Sequence, residues 1–81
     1  MAWYADDTHV EKVLPGKTWW TDIYGPGDRA PKSGIYRCDG CGKEISHNEG
    51  VSLPAQNHGQ HSPSQGDIRW KLIVRANTTG I

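Results

Sequence analysis

The sequence predicts a small all-β domain built on an antiparallel sheet, and three observations carry that expectation. Ten glycines and five prolines among 81 residues leave no uninterrupted stretch for a long helix. The run D-I-R-W-K-L-I-V-R-A near the end alternates with the two-residue period of a half-buried strand. The short runs G-I-Y-R-C and K-E-I-S-H flank a tight C-D-G-C-G turn, as two strands of a hairpin do.

Taken in order, residues 1–9 are polar and predict a loosely ordered end. Val10 to Leu14 alternates briefly and is stopped by Pro15-Gly16. K-T-W-W-T-D-I-Y has strand composition, which would point the consecutive Trp19 and Trp20 to opposite faces. Residues 25–34, G-P-G-D-R-A-P-K-S-G, are a turn-rich connector. The two hairpin strands follow, then a turn at Asn48-Glu49-Gly50 and a short extended V-S-L-P. A-Q-N-H-G-Q-H-S-P-S-Q-G-D is polar and without apolar periodicity. In the final strand Ile68, Trp70, Leu72 and Val74 are predicted to share the inner face, with Arg69, Lys71, Ile73 and Arg75 opposite. The expected division is an N-terminal Trp-rich extension at 1–24, a compact domain at 25–76 and a flexible tail at 77–81.

Nine basic and nine acidic residues cancel, which argues against a general polyanion binder. The N-terminus lacks the basic and apolar regions of a signal peptide, and no apolar run approaches a membrane span. A cytoplasmic chain is therefore expected, in which a cysteine pair reads as metal-binding or redox before it reads as a disulfide.

Cys38 and Cys41 are two residues apart, as are His58 and His61, and sixteen residues separate the pairs. Thiolate and imidazole are the ligands zinc prefers, and a structural site closes its tetrahedron with four of them. The C-x2-C turn lets one tight loop offer both sulfurs to one ion, and Gly42 behind it suits a backbone that aims amide N–H groups at the thiolates. The spacing thus predicts a Cys2His2 zinc site. His47 is a rival ligand, and His9 lies too far away to place. With all four positions filled and no general-base motif beside them, the zinc is expected to be structural and the chain not an enzyme. The other reading of the cysteines is a redox dithiol or metal-handling centre, although no helix follows to lower a thiol pKa.

With these residues in view, the chain resembles a group of small uncharacterised bacterial zinc-ribbon-like proteins. The resemblance rests on P-G-D-R-A-P-K-S-G-I-Y-R-C-D-G-C-G-K-E-I (26–45), N-H-G-Q-H (57–61) and I-R-W-K-L-I-V (68–74). The segment opening at Pro26 also looks like the start of the YjzC-like small proteins. The resemblance implies a zinc ribbon with Cys38, Cys41, His58 and His61 as ligands, and brings no activity.

A ribbon of this kind is expected to act as an interaction module. Arg69, Lys71 and Arg75, joined by Arg37, would form a basic row for a protein partner or, weakly, nucleic acid. Such a row is equally the ordinary solvated face of a sheet. An exposed Trp19 or Trp20 suggests a partner surface or a homodimer through the N-terminal segment or the last strand.

Overall fold

A computed structural model describes residues 1–14, 16–54 and 68–80. The architecture is a three-stranded antiparallel sheet, β1 (Gly34–Cys38), β2 (Glu44–His47) and β3 (Trp70–Arg75), in the spatial order β2-β1-β3. The small all-β class expected from the sequence is the observed one. The central strand β1 is covered on its inner face, so Tyr36 and Cys38 are fully buried while Arg37 between them is exposed.

The core is Ala30, Tyr36, Cys38, Leu53, Trp70 and Leu72, with Trp19, Trp20, Tyr24, Cys41, Ile45 and Ile68 packed against it. Each buried polar handle among the two large aromatics finds a partner. The Tyr36 hydroxyl donates to the Lys32 carbonyl and accepts from the Lys32 amide. The Trp70 indole donates to the Pro54 carbonyl at 2.9 Å.

Two segments differ from expectation. The Trp19-Trp20 stretch forms one helical turn, α1 (Thr18–Thr21), closed by Asp22 N–H on the Thr18 carbonyl at 2.8 Å. As a strand it would turn one indole to water; in a helical turn successive side chains are only about 100° apart, and both indoles reach the same core. Strand-like pairing resumes at Tyr24, which exchanges both backbone hydrogen bonds with Trp70 at 2.7 and 2.8 Å.

The turn-rich 25–34 connector pairs with 50–53: Ala30 N–H donates to Val51 O, Gly50 N–H to Ala30 O and Leu53 N–H to Asp28 O, at 2.7–3.0 Å. This ladder puts Ala30 and Leu53 into the core.

The inner face of β3 also departs from strict alternation. Ile35 pairs with Val74 and Tyr36 with Leu72, so Ile73 is an extra residue at a β-bulge. Beyond it the faces exchange. Val74, expected inside, is 37% exposed. Arg75, expected outside, pairs with Gly34 and turns to the inner side. Gly34 is the residue this approach requires, since a Cβ there would stand 1.9 Å from the Val74 carbonyl oxygen.

Candidate metal centre at the hairpin tip

The β1–β2 hairpin closes through Asp39–Lys43, with Cys38 at its entry and Cys41 in the loop. Cys38 N–H donates to the Lys43 carbonyl and Gly42 N–H to the Cys38 carbonyl, both at 2.8 Å. Gly42 takes the left-handed φ of +82° that its type was expected to supply. Its amide is directed at the Cys38 carbonyl oxygen rather than at sulfur. Behind the turn, the Arg37 guanidinium donates to Gly42 O at 3.2 Å and pairs with the Glu44 carboxylate at 3.1 Å. A Cβ on Gly42 would lie 3.0 Å from that guanidinium, the mobile end of a long side chain, so the positive φ is what calls for glycine.

Neither cysteine is in a disulfide; Cys38 is buried and Cys41 half-buried against the same cluster. The turn thus gathers two soft donors at one end of the core. The expected partners His58 and His61 lie outside the described residues, and among the described residues no three His, Cys, Asp or Glu side chains gather into a metal-holding group.

The ends of the segment that carries those histidines are fixed, however. Its start, Pro54, is bonded through its carbonyl to the Trp70 indole. Its far end returns at Ile68–Arg69, where the Arg69 carbonyl accepts from Asp39 N–H at 2.7 Å. Trp70 is itself the register partner of Cys38. Both anchors therefore sit beside the hairpin tip. His58 is four residues from Pro54 and His61 seven from Ile68, which is about 13 and 23 Å of extended chain.

His47 is placed elsewhere. It pairs with Gly34 at the opposite end of the hairpin from Cys38, about 13 Å along the strand. Its Nε2 is 2.9 Å from the Ser52 carbonyl oxygen, bonded there as a donor. It does not suit the role of substitute ligand. His9 is exposed in a short 3-10 turn, Asp7–His9.

The cationic residues divide between two faces. Arg37 and Lys71 are register partners on the outer face, and Arg69 is exposed nearby. Arg75, carried to the inner side by the bulge, stands 5.5 Å from the Trp19 ring centroid. Lys32 and Lys17 join it there at 4.9 and 5.9 Å. Trp19 and Trp20 are both half-buried. Lys17 and Lys32 were not singled out from the sequence, because each sits next to a turn and meets Trp19 only once α1 has formed.

No family model matches the chain, and no solved structure matches it. A curated relative from Escherichia coli, named "Protein L", is 50% identical over 82 residues, covering 99% of this chain and 93% of its own. The chain belongs to the family of that protein. For the Protein L family the kinship with a small bacterial protein is thereby established; the relative's name says nothing of a ribbon. Among the described residues of this family member, no helix is long and apolar enough to cross a membrane.

Proposed function

We propose that the chain is a small zinc-stabilised interaction module of zinc-ribbon type, cytoplasmic and without enzymatic activity. Its zinc is held by Cys38, Cys41, His58 and His61. The observation that most supports this reading is the tether: both ends of the histidine-bearing segment are bonded at the tip where the cysteines lie. The donor set, two thiolates and two imidazoles, fits the metal. Four protein ligands leave no open position for a reacting water, so the ion's role is to fix the loop. The likeness to the zinc-ribbon-like and YjzC-like proteins is part of the same proposal.

The competing dithiol reading is less well served. Cys38 is fully buried, whereas a redox thiolate must be reached by its partner. Native mass spectrometry of the wild type beside His58→Ala/His61→Ala separates the two. One zinc per chain is expected, lost or weakened in the double variant along with the folded charge-state distribution. A folded, metal-free wild type would sink the zinc site and make thiol titration the next step.

A further inference from the structure

Three cationic side chains from three parts of the fold gather on one indole. Lys17 caps the start of α1, Lys32 belongs to the 25–34 connector and Arg75 ends β3; they stand 5.9, 4.9 and 5.5 Å from the Trp19 ring centroid. Their backbones are fixed in place. Trp20 N–H donates to the Lys17 carbonyl at 3.1 Å, and the Tyr36 hydroxyl holds both backbone groups of Lys32. Ala76 N–H donates to the Ser33 carbonyl at 2.8 Å, which keeps Arg75 beside Lys32. An indole has two faces, so at least two of the three charges share one and repel each other there.

Little in the chain answers these charges. Among the described residues the cluster meets one carboxylate, the exposed Glu49, 3.8 Å from Lys32; neither Lys17 nor Arg75 has a carboxylate within ion-pair distance. Two positive charges are left over. The Trp19 Nε1–H is buried and has no acceptor among the described residues. Lysine and arginine carry donors only, so the cations over the ring do not supply one. A ligand that fits brings about two negative charges and several acceptor oxygens, which a phosphate dianion does and a single carboxylate does not. With cations over the indole, the ring is not an open platform for stacking a base. Nor does the cluster run on into a track for a polyanion: Arg37 is paired with Glu44 on the other face, and the formal charge of the chain is zero.

We propose that Lys17, Lys32 and Arg75, gathered on Trp19, bind one phosphate dianion, either inorganic phosphate or the terminal monoester of a small molecule. The Arg75 guanidinium takes two phosphate oxygens in its planar fork, and the two ammonium groups neutralise the ligand as point charges. A remaining oxygen accepts from the Trp19 N–H. Lys17 and Arg75 are exposed, so their long side chains turn onto the ligand without disturbing the core. The site goes beyond the zinc-stabilised module and uses none of the proposed zinc ligands.

Isothermal titration calorimetry of the full chain tests it, with inorganic phosphate and with glycerol phosphate as probes and ionic strength held constant with chloride. One saturable site per chain is expected, and the tighter of the two probes identifies the source of the phosphate. Lys32→Gln/Arg75→Gln should weaken binding by at least about tenfold with near-ultraviolet circular dichroism unchanged. Lys17→Gln should weaken it several-fold, whereas Lys12→Gln, which removes the same charge from the exposed N-terminal segment, should leave it within about twofold. Glycerol phosphate should bind more tightly as pH rises through its second ionisation near about 6, and sulfate, a dianion throughout, should not. Absence of a saturable site, equal losses from Lys12→Gln and Lys17→Gln, or binding of a single-stranded oligonucleotide through these residues without binding of either probe would overturn the proposal. A protein that holds one zinc and ignores both probes would overturn the phosphate site alone; a metal-free protein that binds them would overturn the zinc site alone.

Discussion

The buried hydroxyl of Tyr36 shows what a single polar atom does in so small a core. It satisfies both backbone groups of Lys32, which ties the 25–34 connector to the central strand. Burial raises its pKa above the ordinary 10.0, the Lys32 backbone bond opposes that, and the nearby Glu49 adds to it. Tyr24 is shifted the same way by burial, Asp22 and Tyr36. A raised folded-state value means that the unfolded chain ionises first as pH climbs. Stability from these groups is complete below about 10 and is lost above it. Tyr36→Phe is expected to lose about 1–3 kcal/mol at neutral pH, since two buried backbone groups then lack a partner. It should also decline less steeply above pH 10 than the wild type, as followed by urea unfolding; equal slopes would rule Tyr36 out as the titrating group. The residue type was legible as core aromatic, but the partner was not, because nothing in the sequence marks Lys32 as more than part of a loop.

At the scale of elements, the three strands were legible wherever polar and apolar residues alternate without ambiguity. The bulge was not, and the reason is local. After Leu72 come Ile73 and Val74, both apolar, so the pattern fits equally with or without an extra residue, and only pairing with β1 decides. Trp19-Trp20 failed as a strand for a different reason: composition favoured one, but two adjacent indoles cannot share one face of it. The V-S-L segment was read as extended, and its ladder with 27–30 then selects which residue goes inward. Leu53 is 2% exposed and Val51 48%. Leu53→Ala should therefore lower unfolding free energy by about 2–4 kcal/mol, and Val51→Ala by under about 0.5 kcal/mol, in the monomer. Comparable losses at the two positions would mean that the ladder does not close on the core. The cysteine turn was legible from C-x2-C-G-K, whereas the anchors at Pro54 and Arg69 needed the register of β1 with β3.

For the molecule as a whole, the described residues contribute six buried side chains to the core of an 81-residue chain. Apolar burial on that scale barely offsets backbone entropy, which is why small domains commonly depend on a cross-link or a metal. The proposed zinc would supply one at the place where it acts on the most chain. Joining the Cys38–Cys41 turn to His58 and His61 closes a loop of roughly twenty residues, and closing such a loop in the folded state only is worth a few kcal/mol in entropy. Because thiolates and neutral imidazoles are the binding forms, protons compete with the metal. Removing zinc with a strong chelator, or lowering pH through the range where the histidines protonate, should therefore act alike. Both should lower the melting temperature markedly and change the fluorescence of Trp70, which is packed between its register partner Cys38 and the Pro54 carbonyl. Cys38→Ser should behave as the chelated wild type does and respond no further to chelator. A wild type whose melting curve is the same with and without chelator would mean that the hairpin tip is held by its hydrogen bonds alone, and the cross-link would have to be sought elsewhere, first in the pairing of two chains.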